Sequence, residues 1–142
     1  MKIYISKNKP ELENYTHVQN IMTLDDQVLD REATDLVVKD YLTEFADSEV
    51  GPLLLKILNK LRIDATITIV DKDIDIIYMK YDRGDMDLKT LNDTVFSGLS
   101  KKCFLNIETV KDVIKDKLKI EHSSVDSQTG QFIIKARRVA NG

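Results

Sequence analysis

Between residues 34 and 71 the chain passes from an apolar run to a helical period and then to strict alternation. Thr34-Asp35-Leu36-Val37-Val38 is a short β-rich run. Glu49 to Arg62 then carries Val50, Leu54, Ile57, Leu58 and Leu61 on one helical face, and Ala65-Thr66-Ile67-Thr68-Ile69-Val70-Asp71 is a second strand. Strand, helix and strand within about 40 residues predict a crossover unit whose two strands are parallel neighbours. The near-continuous apolar character of the first strand predicts a central position covered on both faces. Ligands of parallel sheets sit beyond the carboxyl ends of the strands, where Lys39-Asp40-Tyr41 and Asp71-Lys72-Asp73 lie.

The flanking pattern extends this unit in both directions. Lys2 to Ser6 alternates and predicts a first strand, stopped by Lys7-Asn8-Lys9-Pro10, and Tyr15 to Ile21 predicts a second. Residues 23 to 33, rich in Asp and Glu, predict an exposed connection. Asp47, Ser48 and Glu49 supply the cap and first-turn charge of the crossover helix, with Pro52 tolerated near its start. Ile74, Ile77, Tyr78 and Tyr81 repeat at helical spacing before Gly84, a natural stop. Leu88, Leu91, Val95 and Leu99 predict a weaker helix with Gly98 near its end. Asn106 caps a helix that turns Ile107, Val110, Val113 and Ile114 inward. Ile120 to Val125 and Gln131 to Val139, about Ser127-Gln128-Thr129-Gly130, predict an antiparallel hairpin. The expected fold is a single α/β domain over residues 1–142, a mostly parallel twisted sheet with helical crossovers and a C-terminal antiparallel hairpin.

Composition narrows the class of function. The 142 residues are 42% hydrophobic and 32% charged with five Gly and two Pro, the profile of an ordered globular chain. A formal charge of −3 argues against a dedicated nucleic-acid binder, whose affinity rests on neutralising phosphates. Cys103 is the only cysteine, which rules out an intrachain disulfide and leads us to expect a cytoplasmic location. No apolar run approaches the roughly 18 residues of a membrane span, and Met1-Lys2-Ile3-Tyr4-Ile5 turns polar at Ser6 as a signal peptide would not.

Most isolated chemical motifs have simple structural explanations. His17 and His122 stand on separate predicted strands without other ligands at metal spacing, and no metal site is expected. Asp71, Asp73 and Asp75 crowd a strand's carboxyl end, where helix capping explains them better than cation binding. Cys103 follows Lys101 and Lys102, which favour a thiolate, but Phe104-Leu105 beside it point to burial. Lys135, Arg137 and Arg138 could meet phosphate or an acidic partner, although Lys135 and Arg137 share the face opposite Ile134 and Ala136 and so read as a solvated surface. Tyr78 and Tyr81 fit a core or groove edge better than a base-stacking platform.

With these residues in view, the chain resembles a small class I S-adenosylmethionine-dependent methyltransferase. Asp35-Leu36-Val37-Val38 followed by Tyr41-Leu42-Thr43-Glu44-Phe45 is similar to that family's strand and loop at the active-site lip. Leu53 to Val70 resembles its following helix and strand, with Arg62-Ile63-Asp64-Ala65 where the family has Pro-Gly-Gly. Lys2-Ile3-Tyr4-Ile5-Ser6-Lys7-Asn8-Lys9, then Asn14 to Asn20, stands where the family has its glycine-bearing loop and its second strand. Asn106 to Leu118 and the hairpin resemble the closing elements.

The resemblance implies that Ser6, Lys7, Asn8 and Lys9 would contact the cofactor, Asn20 the ribose, and Asp40 and Tyr41 the methyl acceptor as catalytic residues. The departures matter: Ser6-Lys7-Asn8 offers no glycine for close backbone approach, and Asn20 or Gln19 stands in place of an acidic residue. The expectation is therefore a methyltransferase-like domain with a degenerate cofactor site, an interaction or assembly subunit that binds no cofactor. Its expected partners are a second copy of the chain or another protein, without membrane or dedicated nucleic-acid binding. The alternative is an active enzyme that uses S-adenosylmethionine on an unknown acceptor. Nucleotide or nucleotide-sugar binding at the same sheet edge is a weaker third reading, because no phosphate-cradling glycine loop is present.

Overall fold

The structure, a computed structural model, describes residues 1–96 and 102–140. Six strands form one sheet: β1 (Lys2–Ile5), β2 (Thr16–Val18), β3 (Ala33–Lys39), β4 (Leu61–Lys72), β5 (Leu118–Asp126) and β6 (Gln131–Arg138), in the order β2-β1-β3-β4-β6-β5. The first four are parallel, β6 runs antiparallel to β4, and β5 closes the hairpin on β6. Among the described residues five α-helices accompany them: α1 (Leu24–Gln27), α2 (Asp47–Leu58), α3 (Ile74–Asp82), α4 (Leu88–Val95) and α5 (Ile107–Ile114). The expected parallel pairing is present, with Leu36 opposite Ile67 and Val38 opposite Ile69.

Strand alternation sorts the sheet into two unlike faces. Ile3, Ile5, Leu36, Val38, Ile67, Ile69, Ile134 and Ala136 share one face and are fully buried or nearly so. Helices α1, α2 and α5 join that face through Leu24, Leu54, Ile57, Val110 and Ile114. Tyr4, Val37, Thr68 and Lys135 lie on the other face and remain half-buried or exposed. Strand β3 is central as expected, but it is covered on one face and not on both. Its Asp35 and Val37 occupy the open side, since the loop from β1 to β2 contains no helix.

Several boundaries differ from the sequence expectation. Helix α2 ends at Leu58 instead of Arg62, and β4 begins at Leu61. The buried Arg138 guanidinium ties the two together by donating to the carbonyls of Leu58 (2.7 Å) and Leu61 (2.9 Å), so Arg138 is a structural clamp and not part of a solvated basic face. Burial, with Arg31 nearby, lowers the pKa of Arg138. Beyond Leu61 the strand is irregular: Asp64 has a φ of 67°, and the register with β3 shifts between Ala33 and Asp35. The helix also starts two residues earlier than expected, at Asp47 behind Ala46, which offers no side-chain cap. Pro52 therefore lies at its sixth position and leaves the Ser48 carbonyl without its helical N–H partner.

The acidic connection is structured. A 3₁₀ turn (Ile21–Thr23) and α1 bury Leu24, and Val28 and Ala33 are buried after them. Its carboxylates work: Lys60, 3% exposed, reaches Asp25 and Asp30, each at 2.8 Å. Burial opposes the charge on Lys60, but the hydrogen bonds to Asp25 and Asp30 outweigh it and raise its pKa overall. The α4 helix expected from Leu88 to Leu99 is present from Leu88 to Val95, and Gly98 and Leu99 fall outside the described residues. Among the described residues no helix is long and apolar enough to cross a membrane.

Candidate functional site

The carboxyl ends of β1, β3 and β4 open onto a cleft of about 490 Å³ lined by Tyr4, the Ser6 to Pro10 loop, Lys39, Asp40, Glu44 and Lys72. Its position follows from the parallel pairing, which brings three carboxyl ends to one edge, the usual location of ligands in such sheets. Its volume lies within the roughly 300–1,000 Å³ of small-molecule sites.

Each wall is anchored from behind. Ser6 is buried and inward-facing: its hydroxyl donates to the Asn8 carbonyl at 2.6 Å and lies 3.2 Å from His17 Nε2, which also approaches the Ser6 carbonyl at 2.9 Å. His17 thus fixes the loop after β1. Lys7 crosses to Glu44, with Nζ 3.2 Å from Oε2, and the Glu44 side chain is 8% exposed. Asp40 has a φ of 51°, a left-handed conformation that costs most residues energy but which Asp tolerates better than most. Its N–H donates to the Val70 carbonyl at 2.9 Å, and its carboxylate accepts from the Gln131 amide at 2.9 Å. Lys72 donates to the Thr94 carbonyl at the end of α4.

Of the residues assigned by sequence, Ser6, Lys7, Asn8, Lys9 and Asp40 line this cleft, and Tyr41 and Asn20 do not. Tyr41 is 5% exposed; its hydroxyl donates to the Gln19 carbonyl and accepts from the Ile21 N–H, both at 2.9 Å, while its ring packs on Phe45. Burial raises its pKa. Tyr41 therefore holds the segment after β2 against the lip. Asn20 is exposed, and its side-chain oxygen accepts the Met22 N–H at 3.0 Å, capping the 3₁₀ turn. Tyr4, Lys39, Glu44 and Lys72 also belong to the cleft. Strand parity was the signal for three of them, because it sends Tyr4, Lys39 and Lys72 to the open face at the sheet's edge; Glu44 lies on the turn after β3, where parity gives none.

The acidic cluster after β4 builds structure. Asp71 is fully buried and accepts the Thr43 N–H (3.3 Å) and hydroxyl (3.1 Å), holding the turn that carries Glu44. Asp73 caps α3 by accepting from Asp75 and Ile76, and its second oxygen accepts the Ile107 N–H of α5 at 2.8 Å. Asp75 accepts from Asn106 at 3.1 Å. Gly130 lets the hairpin turn meet this corner. Its φ is 71°, it receives the Asp73 N–H on its carbonyl, and a Cβ there would stand 2.9 Å from Ile77.

Elsewhere, Cys103 is half-buried near the Leu42 carbonyl, and Lys101 lies outside the described residues. His17 and His122 stand at opposite edges of the sheet, and among the described residues no group of metal-binding side chains comes together. Arg137 donates to the Asp64 carbonyl and pairs with Glu121 on the open face, with Lys135 beside it and exposed. Tyr78 is largely exposed on α3 and Tyr81 partly so; Ile77 alone of that helix is buried.

No protein-family model and no curated protein matches the sequence. Solved structures match the fold. A SAM-dependent methyltransferase from Archaeoglobus fulgidus superposes with a TM-score of 0.58 at 11% identity, over 88% of this chain and 67% of its own. The magnesium protoporphyrin IX methyltransferase of Synechocystis PCC 6803, with bound SAH, gives 0.57 at 11% identity over 87% of this chain and 50% of its own. A possible exported protein of Bordetella parapertussis gives 0.63 at 14% identity over 89% of this chain and 45% of its own. The fold is thus Rossmann-like, of the class I methyltransferase type, and the chain spans about half to two thirds of the length of these structures.

Proposed function

We propose that this chain is a single methyltransferase-like domain whose cleft no longer holds the methyl donor, and that it serves as an interaction or assembly subunit in the cytoplasm. The observation that carries this reading is the loop after β1. Lys7, Asn8, Lys9 and Pro10 wall the cleft beside the inward-turned Ser6, and Lys7 spans it to Glu44. A loop that must bring backbone amides against the donor's methionine portion needs glycines, and side chains stand in the way. The donor is also a sulfonium cation, which lysines repel. Asn20, the candidate ribose ligand, has its side-chain oxygen turned to Met22.

The open sheet face is the surface this subunit offers, to a second copy in the first instance. Its half-buried Tyr4, Val37 and Val70 lie where no helix of the covering layer packs. Light scattering at micromolar concentration should give at least a dimer mass, and a monomer there removes self-association from the reading.

One observation favours a second reading, an active S-adenosylmethionine-dependent methyltransferase of unknown acceptor. The cleft stands at the carboxyl ends of the parallel strands with the Asp40 carboxylate at its lip. Methyl transfer relies mainly on positioning donor and acceptor, which such a cleft can supply. There Ser6 to Lys9 would contact the donor and Asp40 the acceptor, with Tyr41 steadying the lip. Calorimetric titration with S-adenosylmethionine and its demethylated product separates the two. The non-catalytic reading expects a dissociation constant no tighter than about 1 mM, or roughly −4 kcal/mol. Micromolar binding would overturn the degenerate-site reading and put the enzyme reading first.

A further inference from the structure

We propose that the cleft binds a small phosphorylated ligand of the nucleoside diphosphate class. This rests on the reading above in one respect, that the methyl donor does not occupy the same space.

The argument starts from charge. The chain as a whole is acidic, at −3, yet four lysines line this cleft against two carboxylates. Both carboxylates are engaged from within, Glu44 by Lys7 and Asp40 by the Gln131 amide. Lys9 and Lys39 are exposed, and among the described residues neither makes an ion pair. A concentration of one charge in a concave site, against the sign of the whole molecule, focuses the field on ligands of the opposite sign.

Geometry narrows the class. Lys9 follows β1 and Lys39 ends β3, while Lys7 after β1 and Lys72 at the end of β4, held by Glu44 and the Thr94 carbonyl, add their charge, so the four ammonium groups come from three adjacent strands. Adjacent strands lie about 4.8 Å apart, which spreads these anchors over about 10 Å, wide enough for two linked phosphates and a sugar. Tyr4 supplies an aromatic wall, braced edge-on by Tyr15 at 5.9 Å between ring centroids, and Pro10 a second apolar surface, as the flat body of a base requires. The absent glycine cradle is thereby replaced: ammonium groups on long side chains, and not backbone N–H groups, meet the phosphates. Binding through such exposed charges weakens as salt screens them.

The test is calorimetric titration of the intact chain with ADP, inorganic pyrophosphate, adenosine and S-adenosylmethionine at low and at physiological ionic strength. The expected result is that ADP binds, pyrophosphate binds more weakly, adenosine gives no heat, and the ADP affinity falls as salt rises. The double variant Lys9→Ala/Lys39→Ala should weaken ADP at least tenfold with an unchanged circular dichroism spectrum, because both side chains are exposed. Lys135→Ala, on the open face outside the cleft, should leave ADP binding as it was. Absence of ADP binding to millimolar concentration overturns the proposal, as does adenosine binding as tightly as ADP, pyrophosphate matching ADP, or an equal loss from Lys135→Ala. The S-adenosylmethionine arm keeps the two readings apart. Micromolar binding of that compound defeats the non-catalytic reading, whereas silence from both ADP and S-adenosylmethionine defeats only this one.

Discussion

The two faces of the sheet are made by the same strands and obey opposite rules. On β4, Ile67 and Ile69 are fully buried under the helices, while Thr66, Thr68 and Val70 between them are only half-buried on the open side. On β6, Ile134 and Ala136 face the core and Lys135 faces water. Stability should therefore reside on one side of the sheet, and the other is left to chemistry and contact. Substituting across this divide measures it. Ile67→Ala should cost about 3 kcal/mol, as truncation of a packed aliphatic side chain does, and Val37→Ala on the neighbouring strand's open side about 1 kcal/mol. Urea titration of both variants checks this, and equal costs would mean that something covers the open face in solution.

At the carboxyl edge the same contrast runs between one aspartate that is enclosed and one that is not. Asp73 is 2% exposed and accepts three N–H groups from the first turns of two helices, whereas Asp75 meets the Asn106 amide at the surface. Asp73→Ala should cost about 2 kcal/mol, since the α3 cap is worth roughly 1 kcal/mol and the Ile107 N–H of α5 loses its acceptor as well. Asp75→Ala should stay within about 0.5 kcal/mol of the parent. Thermal melts of the pair decide whether this corner is a capping device; a harmless Asp73→Ala would reopen its reading as a ligand site.

Much of this was legible in the sequence, and the misses have physical causes. The crossover was readable because Leu36-Val37-Val38 and Ile67-Thr68-Ile69 flank a segment of clear helical period. The cap at Asn106 was readable because an Asn before an amphipathic run has few other uses, and its side chain does accept the Thr109 N–H at 2.8 Å. The end of α2 was not, because Leu58 and Leu61 continue the helical spacing while the clamp that ends it, Arg138, lies 77 residues or more away in sequence. The role of Lys60 was hidden for the same reason, its partners being Asp25 and Asp30 on a remote segment. For the candidate site, nearness to strand ends was enough to bring Ser6 to Lys9 and Asp40 to one cleft. It could not tell that Tyr41 turns inward, since an aromatic with a polar tip suits either direction. The alternation Thr66-Ile67-Thr68-Ile69 already held the open face, because a strand covered on both sides has no need of threonine at every second position.

Tyr41 itself gives the next smaller effect. Removing its hydroxyl leaves the Ile21 N–H and the Gln19 carbonyl without their present partner inside the protein, and Tyr41→Phe should cost about 1.5 kcal/mol. If the residue served an acceptor instead, the substitution would leave stability unchanged, which denaturant titration reads directly.

The open face has its own internal tie, and it yields the smallest effect, visible only at high pH. Tyr15 donates its hydroxyl to Asp35, which also accepts from Thr66 at 3.2 Å. The hydrogen bond to Asp35 chiefly, then burial and the negative charge of Asp35, push the Tyr15 pKa from its ordinary 10 up to about 12. Below pH 10 the phenol is protonated in folded and unfolded chains alike, so the tie is fully present. Between about pH 10 and 12 the unfolded chain has lost the proton that the folded chain still holds, and stability falls as pH rises through that window. At neutral pH, Tyr15→Phe should therefore lie within about 1 kcal/mol of the parent, the worth of one exposed-side hydrogen bond. Above pH 10 the gap between the two should close, because the variant has no phenol there to ionise. The buried Tyr41 titrates late in both proteins and drops out of the comparison. Urea titrations of the two proteins at neutral pH and across the alkaline window test this, and a gap that stays constant would show that Tyr15 and Asp35 are not joined when the face is in solution.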